Sequence, residues 1–223
     1  MMQQRRGKKI LIYLFLLFLF GTVNNIELNN LEIDKPYIEI TGLNEIEKKK
    51  ILDNIQKLNL NNFFFINKNE IEKIINSNSL VEKFSIFKKY PDKLDIRIKQ
   101  TKFLAKINDN GKEYFIGANG RLSKNISLEE NLPYIFGKPE INEFLHFKKI
   151  IDQSKLSYDE IKNLYFFPSK RWDLELKNNI ILKLSKKNTL DSIDNIFKIL
   201  NDKNFSNVNV VDARIKDQII LND

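Results

Sequence analysis

His146 is the only histidine in the chain and there is no cysteine, so a thiolate nucleophile, a disulfide, a thiolate metal site and a multi-histidine zinc site are excluded. His146 falls in a run whose apolar residues Phe144, Phe147 and Ile151 recur at helical spacing, with no Ser or Asp partner in a recognisable arrangement. It reads as a structural histidine. Asp152, Asp159 and Glu160 flank a loop and read as solvated carboxylates. Gly117-x-x-Gly120 lacks the further glycine and the following helix that a phosphate- or RNA-binding loop needs, and reads as a turn. Trp172 reads as an anchor of a core. None of these residues forms a recognisable catalytic, cofactor or metal site, and none is expected to act as one.

Net charge raises nucleic acid as a partner, and its distribution argues against one. Lys and Arg number 37 against 29 Asp and Glu, a formal +8. Arg5, Arg6, Lys8 and Lys9 carry four of those charges before Ile10, which leaves +4 spread among interleaved acids. Binding by counterion release needs cations gathered on one face. The 223 residues have room for one large domain or two small ones. With 42% hydrophobic and 11% aromatic residues they can bury a core.

After the basic cluster, Ile10 to Val23 is uncharged and dominated by Leu, Ile and Phe. Extended to Ile26 it gives about 25 Å of helix, short for a hydrocarbon core of about 30 Å unless the bilayer thins or Lys8 and Lys9 snorkel. An uncleaved anchor over 10–26 and a signal-peptide core both stay open. The missing A-x-A-like pair of small residues between Phe20 and Asn25 favours the anchor. In either case Arg5, Arg6, Lys8 and Lys9 set the topology: that cluster stays cytoplasmic and everything after Val23 is exported.

Residues 27–36 read as a linker. Tyr37 to Thr41 alternates as a half-buried strand ended by Gly42. Ile51, Leu52, Ile55 and Leu58 keep helical spacing, and a second helix starts at Asn67 with Glu70 in a capping-box arrangement. Val81 to Lys99 reads as a hairpin turning at Pro91, with Phe84 and Ile86 opposite Leu94, Ile96 and Ile98, while Lys93, Asp95, Arg97 and Lys99 face water. The order is β-α-α-β-β over 37–101, an α+β module. Residues 102–223 form a mostly antiparallel β-domain with two helices. Asn110-Gly111 and Asn119-Gly120 are expected as type I′ turns, Pro133 and Gly137 punctuate a loop, helices run from about Pro139 to Gln153 and from Thr189 to Leu200, and Val208 to Ile215 and Gln218 to Leu221 close the chain as strands.

Six short motifs give this organisation a family likeness. Ile38-x-Ile40-x-Gly42, Val81-x-x-Phe84-x-Ile86 and Tyr90-Pro91-x-x-Leu94-x-Ile96-x-Ile98 resemble a POTRA domain. Leu132-Pro133-x-Ile135-x-Gly137, Arg171-Trp172-x-Leu174-x-Leu176 and Val211-Asp212-x-Arg214 resemble the β-domain of the bacterial cell-division family FtsQ, called DivIB in some lineages. The likeness runs nearly end to end. It departs from the family's pattern at Leu80, Gln100, Phe103 and Gly117, which are packing and turn positions.

The resemblance implies a non-enzymatic divisome scaffold that spans the inner membrane once, with its N-terminus cytoplasmic and its modules periplasmic, at the division septum. It implies that the last strands accept a strand from the partner FtsB, which travels with FtsL, and that the POTRA module engages further divisome proteins. The edge would use Val210, Asp212, Arg214, Ile215, Ile219 and Leu221. Arg214 has two readings: a fork onto a partner carboxylate, or a surface pair with Asp212. An envelope enzyme such as a wall hydrolase and a POTRA-containing outer-membrane assembly factor are the alternatives to a scaffold.

Overall fold

The computed structural model describes residues 3–23, 36–58, 67–124, 131–201, 208–215 and 218–222. The first element, α1 (Gln3–Val23), contains Arg5, Arg6, Lys8 and Lys9. From Ile10 to Phe20 its large apolar side chains are 41–75% exposed. Among the described residues no helix is long and apolar enough to cross a membrane. The uncharged part of α1 ends at Val23, about 21 Å from Ile10 at the helical rise, and the expected continuation to Ile26 lies outside the described residues.

The first module follows the expected order: β1 (Tyr37–Thr41), α2 (Glu45–Gln56), α3 (Lys68–Ser77), β2 (Val81–Lys89) and β3 (Lys93–Gln100). Asn44 caps α2 by accepting from the Glu47 amide at 2.9 Å, and Asn67 caps α3 by accepting from the Asn69 amide at 3.1 Å. The expected box at Asn67 is made side chain to side chain, Nδ2 donating to Glu70 at 3.0 Å. The sheet order is β1-β3-β2. β1 runs parallel to β3, with Ile38 beside Leu94 and Ile40 beside Ile96. A parallel neighbour demands a crossover, and α2 and α3 supply it. Their Ile51, Ile55, Ile71 and Ile75 close over Leu94 and Ile96, each worth about 2 kcal/mol on burial. Asp95, expected to face water, is 4% exposed. Its carboxylate takes Lys89 at 2.8 Å and Arg97 at 3.1 Å, so the two cations cover it.

In the second module, β4 (Phe103–Asp109), β5 (Lys112–Gly117), β6 (Leu122–Ser123), β7 (Tyr134–Phe136), β8 (Ile161–Phe166), β9 (Trp172–Leu176), β10 (Ile181–Leu184), β11 (Val210–Ala213) and β12 (Ile220–Asn222) form one sheet. Its order is β12-β11-β10-β9-β8-β7-β4-β5-β6. The neighbours are antiparallel except β4–β7, β7–β8 and β10–β11. Helices α4 (Ile141–Gln153) and α5 (Thr189–Leu200) bury Phe144, Phe147, Ile151, Ile193 and Ile196 in the same core as Leu164, Leu174 and Leu182. Trp172 belongs to that core and stacks on Phe147 with centroids 4.6 Å apart. The segment from Pro133 to Gly137 corrects the expectation of a loop: Tyr134–Phe136 is β7, parallel to both β4 and β8. Three residues between a proline and a glycine are too few to display alternation.

The two modules meet at the second Asn-Gly pair. Asn110 and Gly111 both have positive φ, 52° and 79°, as expected of type I′. At Asn119-Gly120 only Gly120 does, at 74°, and its amide reaches the Gly117 carbonyl at 2.9 Å. The expectation of type I′ fails there because the Asn119 side chain serves the junction. Its Nδ2 donates to the carbonyls of Ser79 and Val81, each at 2.9 Å. Arg121 donates to the carbonyls of Asn76 and Asn78, and Phe103 and Phe115 pack into the first module's core.

Gly42 turns the chain out of β1 with φ +94°, and a Cβ there would lie 1.7 Å from the Ile98 carbonyl oxygen. Gly42→Ala is expected to destabilise the first module by about 2–4 kcal/mol, read as a fall in the urea midpoint by far-ultraviolet circular dichroism. Fluorescence of Trp172, in the other core, should change less. An unchanged midpoint would refute the close approach.

Candidate functional site

The sheet ends where β10, β11 and β12 lie side by side. β11 pairs in parallel with β10, placing Leu182 beside Val211 and Lys183 beside Asp212, and α5 makes the crossover between them. Ser192 on α5 links that helix to β11: its hydroxyl lies 2.8 Å from the Asn188 carbonyl before the helix and 3.3 Å from the Ala213 carbonyl on β11. β12 returns antiparallel, placing Leu221 beside Val211 and Ile220 beside Asp212.

All six residues expected at the edge come together here, with different roles. Val210 and Asp212 lie on β11, which has a neighbour on both sides, so their strand cannot accept another. The outer position passes to β12. There Ile220, absent from the expected set, is 42% exposed, while Leu221 and Ile219 pack on the core. Ile215, just past β11, is 57% exposed. Arg214 is held by Asp212: Nε donates to both carboxylate oxygens at 2.8 and 2.9 Å, and a second guanidinium nitrogen donates at 2.6 Å. Of its two readings, the internal pair is the one present. The hydrogen bonds from Arg214 hold the Asp212 carboxyl below its usual range.

The face of the sheet opposite the helices carries a second, matching pair that sequence reasoning missed. Arg171 forks onto Asp173 at 3.1 and 3.2 Å. Asp173 is register partner to Lys183, Lys183 to Asp212, and Asp212 to Ile220, so both arginine–aspartate pairs lie on one line across the last four strands. The signal was available: Arg171-x-Asp173 and Asp212-x-Arg214 are i, i+2 pairs, which share a face on any strand. One row along, Glu175 accepts from Asn163 and Lys162 at 2.8 Å and from the Tyr165 hydroxyl at 2.6 Å. These bonds, Asn163 foremost and then Lys162, depress its carboxyl to about 2. Burial, and then the bond to Glu175, push the Tyr165 hydroxyl up to about 12. On the helix side, a groove of about 510 Å³ runs between α5 and the end of β11, lined by Asp191, Asn195, Ile215 and Ile219 among others.

The residues weighed for chemistry are scattered. His146 is exposed on α4, and Asp152, Asp159 and Glu160 are exposed. Among the described residues there is no group of three or more His, Asp or Glu side chains arranged to hold a metal.

The family description "POTRA domain, FtsQ-type" matches residues 36–100, and "Cell division protein FtsQ/DivIB, C-terminal" matches residues 105–214. The chain belongs to the FtsQ/DivIB family. "Cell division protein DivIB" of Bacillus subtilis is 24% identical over 180 residues, 78% of this chain and 67% of that protein. That of Clostridium tetani is 27% identical over 158 residues, 66% of this chain and 58% of that protein. The chain thus spans about two thirds or less of their lengths. A Euglena longa protein named DNA-directed RNA polymerase subunit beta'' is 28% identical over 181 residues, which is 22% of that subunit. The solved structure of the major extracytoplasmic domain of the trans isomer of DivIB from Geobacillus stearothermophilus covers 49% of this chain at 13% identity, with a TM-score of 0.35. The role in common with the DivIB relatives is cell division. In this FtsQ/DivIB chain β12 lies beyond the matched C-terminal span.

Glu175 sets a pH dependence. Its folded value of about 2 lies below the ordinary value of 4.5, so its bonds stabilise the fold above that ordinary value and are lost as pH falls through 2. Glu175→Gln is expected to flatten the loss of urea resistance between pH 4.5 and 2, followed by Trp172 fluorescence. Parallel acid limbs in the two proteins would contradict the assignment.

Proposed function

We propose that this FtsQ/DivIB chain is a non-enzymatic scaffold of the divisome, made of two modules (37–101 and 102–223) on a single-pass inner-membrane anchor over residues 10–26. Its N-terminus is cytoplasmic, held there by Arg5, Arg6, Lys8 and Lys9 under the positive-inside bias, and its modules are periplasmic at the septum. The exposed apolar run of α1 supports an anchor, with snorkelling or local thinning making up the missing length.

The modules act by offering backbone. β12 ends the nine-stranded sheet with nothing beyond it among the described residues, and that outer position carries the reading. A strand from an FtsB-like partner, accompanied by an FtsL-like one, adds there: main-chain hydrogen bonds supply affinity and alternate side chains supply selectivity. Ile220 and Ile215 give that strand apolar contact, and Arg214, already charged and oriented by Asp212, fixes its flank. The POTRA-like module engages further divisome proteins.

Because the chain has no cysteine, Ile220→Cys gives a unique crosslinking point. Paired with a cysteine scan of the FtsB-like protein, it is expected to crosslink at every second position, the period of a strand. Helical spacing, or no crosslink in a complex that still copurifies, would defeat strand addition. Depletion of the protein is expected to give filamentous cells, and normal division without it would end the scaffold reading.

A further inference from the structure

The sheet of the first module has its helices on one face only, and the other face is built in two layers of charge. Lys83 on β2 and Lys93, Arg97 and Lys99 on β3 alternate onto this open face, with Lys89 at the end of β2. The carboxylates beneath are sunk: the side chain of Asp95 is 5% exposed under Arg97 at 62% and Lys89 at 49%, and that of Glu82 is 18% exposed under Lys99 at 60%. Glu39 and Lys93 stand level, at 41% and 35%. Each sunken pair therefore points its positive end outward. Lys102, near enough to Glu82 to act on its carboxylate, and Asp92 in the hairpin turn border the face, leaving cations in excess.

Exposed aromatic rings gather at the hairpin tip. Tyr37 is 61% exposed, Phe87 45% and Tyr90 68%, and Arg97 lies over the Phe87 ring at 5.2 Å. The tip is also where the chain enters the module: the Tyr37 amide donates to the Asp92 carbonyl at 2.9 Å. Only 12 residues separate Val23 of α1 from Pro36, at most about 43 Å of extended chain.

We propose that this open face of the first module lies against an anionic lipid surface. The inference rests on the membrane anchor proposed above. Cations held outward over an anionic headgroup layer, with aromatic rings at the level of the headgroups, meet the two requirements of interfacial binding. The tether keeps the face within reach, so weak contacts suffice. The second module and its β12 edge are then positioned relative to the bilayer through the junction at Asn119.

The test uses the full chain in vesicles, with single spin-labelled cysteines. Ser85→Cys lies on the open face opposite Arg97, Phe15→Cys reports insertion of α1, and Lys177→Cys in the turn after β9 is the control. In phosphatidylcholine vesicles containing 30% phosphatidylglycerol, the Ser85 label is expected to lose at least 3-fold of its accessibility to an aqueous nickel chelate relative to phosphatidylcholine alone, while the Lys177 label is unchanged. Half-molar salt, or the added charge reversals Lys83→Glu and Lys102→Glu at exposed positions, is expected to restore access. Equal access in both lipids with the Phe15 label protected would overturn this inference and leave the anchor standing. A Phe15 label open to the chelate would overturn both.

Discussion

One side-chain amide joins two sheets that share no strand ladder. Asn119 sits in a turn of the large sheet, yet both protons of its Nδ2 go to carbonyls at the end of α3 and the start of β2, while its Oδ1 accepts from the Arg121 amide at 3.1 Å. Parting the modules would exchange these bonds for bonds to water, at a net cost of about 0.5–1.5 kcal/mol each. Arg121 and the contact between the Ser123 and Ser79 hydroxyls at 2.7 Å repeat the device on either side. The junction thus ties the first sheet to the second through side chains and not through a shared strand.

Much of the fold was legible because the period of apolar residues is a property of each segment alone. Ile51 and Ile55, or Leu94, Ile96 and Ile98, declare their elements without knowing their partners. What escaped is set by neighbours distant in sequence. Tyr134–Phe136 becomes a strand because β4 and β8 flank it, and Asp95 is buried because Lys89 and Arg97 fold over it. The turn at Asn119 departs from its local preference because the side chain is claimed by residues 40 positions away.

The edge shows the same division. Its location near the C-terminus and the six residues expected there follow from the motif and from alternation. That β11 would be sealed and β12 left outermost depends on the order of strands in space, and a parallel β10–β11 pair hides this from any reading of consecutive segments. Arg171 and Trp172 stand in one motif, while the line joining Asp173 to Asp212 through Lys183 exists only once β9, β10 and β11 are in register.

The outermost strand is three residues long. A ledge of that size presents too few donors and acceptors to template stacking of like chains, in contrast to the nine-residue β2 at the rim of the smaller sheet, where lysines at 83, 88 and 89 discourage such stacking. Under the strand addition proposed above, such brevity acts as a filter: an incoming segment would have to bring its own order or further contacts of its own.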